Sequence, residues 1–477
     1  MIALSLLWVM STVVGCDSGT PPTPNAPDAM QDVGVGDAVI ADGAGPESAA
    51  NIVFLIADDF GVDVFGLYGD EDGDGVADDG RRYAPTPNLT SLCQEGMRFD
   101  AAWSAPTCSP TRAAILSGRY GFRTGIGAAL PREGGISPEE PSLPRILGAA
   151  GYATANIGKW HLGTTEALGG LNAPGTMGWS HYAGSLSGAL MAYDSWTRTH
   201  DGESELVEEY ATSVNVDDAI AWASSQSEAS PWLLWVAFNA PHSPFHRPPD
   251  DLHSVALDGM DPEARPRPHY RAMVEAMDQE IGRLLGALDA LSSRDLWVVF
   301  LGDNGTPGAI VQPPFDSSRA KDTLYQGGVH VPFCVRGPGV ESGARTNALV
   351  HVADIFATAL DIAGVAPDPE EDLRGMPSDG VSFLPVLQGV SSSVREVVYT
   401  ESFGSPREGR AGRALRDARY KLIVMADGAE LFFDLQEDPL ELVNLLEGAD
   451  LSIEATTALS SLRAELAALM ASDASQS

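Results

Sequence analysis

Four apolar runs in this chain end in side chains that can do chemistry. "NIVFLIADD" ends in Asp58 and Asp59, "YATANIGKWHLG" carries Lys159 and His161, "PWLLWVAFNAPHSP" carries His242, and "DLWVVFLGDNG" ends in Asp303 and Asn304. Asp58, Asp59, Asp303 and Asn304 offer oxygen donors only, a set that favours Ca2+ or Mg2+ over zinc. A single Asp–Asp pair is ordinarily a solvated loop, but here the carboxylates close apolar runs. Arg112, Lys159, Lys321, His161 and His242 would each, taken alone, read as surface or helix-end residues. Together they answer a charge problem. Three carboxylates and one divalent cation leave a net negative charge, and three basic side chains reverse it, so the centre can accept an anionic tetrahedral group.

Cys108 stands two residues before Pro110 and four before Arg112 in "APTCSPTRAAILSGR". Proline suits the first turn of a helix, and helix-end amides favour anions and lower a thiol's pKa. A thiolate nucleophile is the direct reading. No His–Asn pair accompanies it, however, and an oxygen-only metal set is an odd companion for a nucleophilic sulfur. The pattern C-x-P-x-R followed by a short apolar helix resembles the type I sulfatases, with Thr111 where serine is commoner. The likeness runs from about residue 51 to 446 through "NIVFLIADDFGVDVFGLYG", "CSPTRAAILSGR", "GYATANIGKWHLG", "APHSPF", "LGDNG", "KDTLYQGGVHVPF" and "ELFFDLQEDPLELVNL".

That resemblance implies an alkaline-phosphatase-like fold and hydrolysis of sulfate monoesters, either aryl sulfates or sulfated carbohydrates. It implies that a formylglycine-generating enzyme or maturase oxidises Cys108 to Cα-formylglycine during export. One hydroxyl of the hydrated aldehyde would attack sulfur, and loss of the other's proton would expel sulfate. Asp58, Asp59, Asp303 and Asn304 resemble the Ca2+ ligands, with the modified Cys108 as a further one. Arg112 resembles the residue that holds the formylglycine hydroxyl, and Lys159 and Lys321 resemble sulfate clamps. His161 resembles the base that frees the aldehyde, and His242 with Lys321 the proton source for the leaving group. Two other readings stay open: a phosphate or phosphonate monoester hydrolase on the same scaffold, and a degenerate surface-binding protein. The single oxygen-type metal set disfavours the first, and the complete set of reactive residues disfavours the second.

Something must bring these distant residues together. Continuous apolar runs suit strands covered on both faces, as in a mainly parallel sheet. Helical patterns lie between them: "SLPRILGAAG" ends in a capping Gly151, and the segment after Tyr270 carries Met273, Met277, Ile281, Leu284, Leu285 and Leu288 at helical spacing. The alternation predicts an α/β sandwich, a large mixed, mostly parallel sheet between helices, over residues 51–376. Ligands of such sheets bind beyond the carboxyl ends of the strands, where all four runs place their polar residues. Residues 377–477 read as a smaller α+β subdomain with an antiparallel sheet and a closing helix. Specificity is expected from the loops 164–210 and 305–320. There Trp179, Tyr182, Tyr193 and Trp196 either stack on a sugar or aromatic ring or pack, with packing favoured.

The 477 residues carry a formal charge of −37 and are 44% hydrophobic, which supports a sizeable core and argues against nucleic acid as a partner. "MIALSLLWVMSTVVGC" is short for a membrane span. It resembles a bacterial lipoprotein signal whose lipobox ends at Cys16, although no Lys or Arg precedes the apolar run. The expectation is export, with a lipid anchor on Cys16 at the periplasmic or cell-surface side and residues 17–50 as a flexible tether. Cys93 and Cys334 read as core residues, with a disulfide between them left open. Asp70, Asp72, Asp74, Gly75 and Asp78 have calcium-loop spacing, but Arg81 stands at the twelfth position. The segment is either a structural Ca2+ site or an acidic solvated loop.

Overall fold

The computed structural model describes residues 49–69, 82–130, 134–291, 293–404, 410–448 and 450–474. The leader with Cys16, the tether as far as residue 48 and the acidic loop 70–81 lie outside them.

The apolar runs become strands at the centre of a ten-stranded sheet. Five neighbours are parallel, in the order Leu296–Gly302, Asn51–Ala57, Trp232–Ala237, Ala153–Gly158 and His181–Gly184. Along Asn51–Ala57 alternate side chains face opposite layers, as a pleated strand requires. Ile52, Phe54 and Ile56 join a core with Ile115, Leu116, Leu143, Ile146 and Phe356. Val53, Leu55 and Ala57 join the other core, with Leu89, Leu92, Met273, Met277 and Ile281. The long helix Pro266–Leu291 thus covers one face, and the short helices Cys108–Ser117, Leu143–Ala149 and Asp354–Ala363 cover the other.

Antiparallel strands extend the sheet at both ends. Phe333–Arg336 pairs antiparallel with Leu296–Gly302. At the far end the hairpin Trp196–His200 and Glu203–Val207 adds two strands. The 164–210 segment is therefore more than a specificity loop, and the sequence reading placed no strand there. The four aromatic residues named there from the sequence pack: Trp179, Tyr182, Tyr193 and Trp196 are all buried. Tyr193 Oη donates to the carbonyls of Asn239 and His242 at 2.6 and 2.7 Å, which braces the loop carrying His242.

After the large sheet, Val398–Ser402, Gly412–Arg416, Tyr420–Met425 and Glu430–Asp434 form an antiparallel four-stranded sheet, and Ile453–Ala474 is the closing helix. Val398, Ala414, Ile423 and Phe433 from this sheet pack against Trp103, Leu324, Val329 and Leu349. Thr400 Oγ1 donates to the Ser104 carbonyl at 3.0 Å. The C-terminal sheet thereby braces the chain as it runs into Cys108.

Cys93 and Cys334 are buried, and they are joined as a disulfide across 241 residues of sequence. The bond ties the helix Pro87–Glu95 to the strand Phe333–Arg336, so the alternative that the sequence left open is the one adopted. A cross-link over so long a loop restricts the unfolded chain and stabilises by about 2–5 kcal/mol. The Cys93→Ala/Cys334→Ala double variant is accordingly expected to melt several degrees below the parent by calorimetry; an unchanged Tm would show that the cross-link contributes nothing.

Candidate active site

The register of the parallel strands decides where the polar residues meet. Ala57 is level with Gly302, and Ala237 is level with both Ile56 and Gly158. The chain leaving each strand therefore emerges at one level, carrying Asp58 and Asp59, Asp303 and Asn304, and Lys159. Glycine is needed where the backbones converge. A Cβ at Gly302 would lie 2.0 Å from the Phe60 carbonyl oxygen, and one at Gly158, which has φ +95°, would lie 2.1 Å from that of Ala237.

Opposite these ends, Cys108 is the first residue of a ten-residue helix, every residue of which is buried. Gly118 closes the helix in the left-handed conformation, as a C-terminal cap should. Pro110 lies in its first turn, and Arg112 projects one turn further on. The Arg112 guanidinium, fully buried, donates from Nε and Nη2 to Asp303 Oδ2 at 3.2 and 2.8 Å and from Nη1 to the Lys159 carbonyl at 2.8 Å. Lys159, also fully buried, pairs through Nζ with Asp58 Oδ2. Lys321 Nζ pairs with Asp59 Oδ1, which also accepts from Asn304 Nδ2 at 2.9 Å. The Asp59 amide donates to Asp303 Oδ1 at 3.2 Å, and His242 Nε2 stands 3.7 Å from Asp59 Oδ2. Cys108 Sγ lies 3.2 Å from His161 Nδ1. All ten residues singled out from the sequence thus fall in one connected cluster.

Two of them sit in the left-handed backbone region, Asp59 at φ +68° and His161 at φ +54°. Such strain persists only where the surroundings hold it. Around Asp59, Tyr270 Oη donates to the backbone carbonyl at 2.8 Å. Around His161, Ser109 Oγ donates to the backbone carbonyl at 3.0 Å and accepts from the Leu130 amide at 3.1 Å. Sequence reasoning missed Ser109 and Tyr270. Ser109 lies within the C-x-P-x-R motif, and Tyr270 reads as one more core position of a long helix. Gly188 was missed too: a Cβ there would lie 2.4 Å from His161 Nε2, so glycine lets the chain lie flat on the imidazole.

The electrostatics follow from burial. Desolvation and then the adjacent Asp303 push the Asp58 carboxyl up to about 7 in spite of Lys159. Burial also raises Asp59, but Lys321, His242 and the Asn304 amide outweigh it and hold that carboxyl below its ordinary range. Burial, then Lys159 and Arg112, keep His161 well below the usual imidazole value, so it is a neutral ring. Burial alone would lower Lys321, yet Asp59, Cys108 and Asp58 raise it, and it stays charged.

The cluster suits a hard divalent cation. Asp58 Oδ1 and Asn304 Oδ1 are buried with no hydrogen-bond partner among the described residues, a costly state that a cation relieves. Donor atoms of Asp58, Cys108 and Asp303 lie within 4.8 Å of one another, as do those of Asp58, Asp59 and His242. The three carboxylates are balanced by Arg112, Lys159 and Lys321, so a divalent ion would leave two positive charges to meet an anion. Beside His161 opens a cavity of about 510 Å³ lined by Thr164, Ser185, Ser187, Thr197, Thr199 and Ser204 among others.

Comparison with known proteins agrees with this geometry. The family model described as Sulfatase matches residues 50–365, and that described as N-sulphoglucosamine sulphohydrolase, C-terminal, matches residues 318–471. The N-acetylgalactosamine-6-sulfatase of Canis lupus familiaris is 29% identical over 393 residues, covering 75% of this chain and 69% of the relative. Arylsulfatase G of Rattus norvegicus is 28% identical over 473 residues, covering 84% and 83%. The crystal structure of Ps i-CgsB in complex with k-i-k-neocarrahexaose superposes with a TM-score of 0.70 at 24% identity, over 84% of this chain and 89% of the other, which establishes the shared fold. The chain belongs to the sulfatase family and is a sulfuric ester hydrolase.

Proposed function

We propose that the protein removes sulfate from a sulfated carbohydrate, with Cys108 carried as Cα-formylglycine and Ca2+ held by Asp58, Asp59, Asp303 and Asn304. One observation carries the reading. The side chain of residue 108 stands with Asp58 and Asp303 in a buried cluster neutralised by three cationic side chains, of which Lys321 is partly exposed. The ion would supply Lewis-acid polarisation and charge neutralisation at the oxygens around residue 108. The aldehyde, as its hydrate, would supply an oxygen nucleophile in place of a thiol.

This chain's own residues do the rest. Arg112 fixes Asp303 and the Lys159 carbonyl, so it sets the floor of the site. Lys159 and Lys321 hold the anionic oxygens of the sulfuryl group, with Lys321 reaching in from the partly exposed side. Donors preorganised in a water-poor site supply the largest stabilisation of developing charge. His242, at the opening and 3.7 Å from Asp59, delivers a proton to the departing alcohol oxygen, assisted by Lys321. His161, neutral and 3.2 Å from the side-chain atom of residue 108, accepts the proton that must leave that side chain before sulfate departs.

The hydroxyl-lined cavity beside His161 supports a sugar, because Ser and Thr hydroxyls both donate to and accept from carbohydrate hydroxyls. The relative named N-acetylgalactosamine-6-sulfatase and the complex with neocarrahexaose also favour a carbohydrate. The Cys93–Cys334 disulfide supports an oxidising compartment. There the lipoprotein-like leader would anchor the chain to a membrane through Cys16, after a maturase had acted on Cys108.

Cys108→Ala is expected to abolish turnover of 4-nitrophenyl sulfate, and mass spectrometry of the native peptide containing "CSPTR" should find the cysteine CH2–SH converted to an aldehyde, with sulfur replaced by oxygen and two hydrogens lost. An intact thiol in fully active protein would refute the nucleophile. Lys321→Ala is expected to lower kcat by about 10²–10³, the effect of deleting one preorganised donor, with Arg in its place restoring part of the rate. Against a panel of paired esters, a 6-sulfated N-acetylhexosamine should outpace its 6-phosphate; the reverse order would point to a phosphomonoesterase.

A further inference from the structure

We infer that His181, His200 and Asp201 form a second metal site, for a borderline transition-metal ion such as Zn2+, at the end of the large sheet remote in topology from the catalytic cluster. His181 begins the last parallel strand, whose opposite end leads into Ser185 and the cavity. His200 ends the neighbouring antiparallel strand, level with Ala183, and Asp201 follows in the hairpin turn. One donor atom from each of the three lies within 4.8 Å of the others. Asp201 Oδ2 is 3.0 Å from His181 Nδ1 and 3.7 Å from His200 Nδ1. Donors about 2.0–2.1 Å from a tetrahedral zinc stand about 3.3 Å apart, a separation that lies between these two Asp201 spacings.

The turn presents the carboxylate in advance. Asp201 holds a left-handed φ of +46°, and its backbone amide donates to the Tyr182 carbonyl at 3.0 Å. Its Oδ1 accepts from the Tyr182 amide at 2.7 Å. One carboxylate oxygen is thereby tied to the adjacent strand, and the other is left facing both imidazoles. The two rings meet edge to face, with centroids 4.9 Å apart. Asp218, bound by Arg198 Nη2, lies close enough to both rings to feel their charge. Two imidazoles and one carboxylate, with water as the fourth ligand, make a zinc-type set. The same set discriminates against Ca2+ and Mg2+, which the oxygen donors of the catalytic cluster favour.

An ion here would clip the hairpin Trp196–Val207 to the parallel core. That hairpin supplies Thr197, Thr199 and Ser204 to the cavity wall, so the site would stiffen one side of it without touching the reacting atoms.

The test is calorimetric titration of the full chain with Zn2+ in excess Ca2+, together with thermal unfolding. His200 is half exposed, so His200→Ala leaves the core untouched. Asp201→Asn keeps the turn, because asparagine accepts the left-handed region. The expected result is one equivalent of Zn2+ bound saturably and a raised Tm in the parent. Both variants should bind at least tenfold more weakly and lose the rise in Tm, with sulfatase activity in Ca2+ unchanged. No saturable binding, or binding that both variants leave intact, would overturn the site and reduce the cluster to an ordinary His–Asp ion pair.

Discussion

The catalytic end of this molecule depends on the neutralisation of carboxylates that the fold buries. Asp58, Asp59 and Asp303 are each essentially inaccessible. An isolated charge in such a place is too costly to persist, and removal of one partner from a buried pair costs about 3–5 kcal/mol because the other is left uncompensated. Arg112, Lys159 and Lys321 meet that demand one to one. The pairing is therefore structural before it is catalytic. Asp58 and Asp59, adjacent in sequence and each paired with a lysine, still differ in proton affinity: burial and then Asp303 raise Asp58 against Lys159 and His242, whereas Lys321, His242 and the Asn304 amide outweigh burial at Asp59.

Sheet topology makes the arrangement possible from distant parts of the chain. The strands that deliver Asp58, Asp303 and Lys159 lie within four consecutive places of the sheet, although the segments are up to about 250 residues apart in sequence. Parallel register brings their carboxyl ends to one level, and the buried helix that starts at Cys108 closes the space from the opposite layer. The C-terminal sheet acts at one remove: it packs on Trp103 and hydrogen-bonds the Ser104 carbonyl, and so fixes the approach to that helix. The stacked Lys421, 4.8 Å from the Trp103 ring and paired with the buried Glu441, ties the same segment down again.

Much of this was legible in the residues. Apolar runs ending in Asp–Asp, Lys-x-His, His and Asp–Asn announced strands of a covered parallel sheet with their chemistry at one end, because burial on both faces leaves no alternation to obscure the pattern. What stayed hidden depends on contacts between segments. Ser109, Tyr270 and Gly188 act through backbone carbonyls or by the absence of a side chain, and nothing in their local sequence marks that. The hairpin 196–207 was equally invisible, since "WTRTH" and "ESELV" are polar strands at the end of the sheet, without an apolar run. The pairing of Cys93 with Cys334 needed the strand order, which brings a helix and an edge-side strand together from opposite halves of the chain.

The acidity of the whole chain bears on what the site admits. A formal charge of −37 sets up a field that opposes any anion at long range. Salt confines that field to roughly 8–10 Å, so a substrate near the opening is governed by local charge. There it meets Lys321 and His242, which with His161 are partly exposed members of the cluster, and beside His161 a cavity half of whose lining residues are Ser or Thr. Cations are concentrated where one sulfuryl group would sit, and they are sparse along the cavity wall. A heavily sulfated polymer would bring many charges into that outer field and find compensation for only one of them. The distribution therefore suits an ester held at the cluster by a single anionic group, with little positive charge offered to the rest of the molecule.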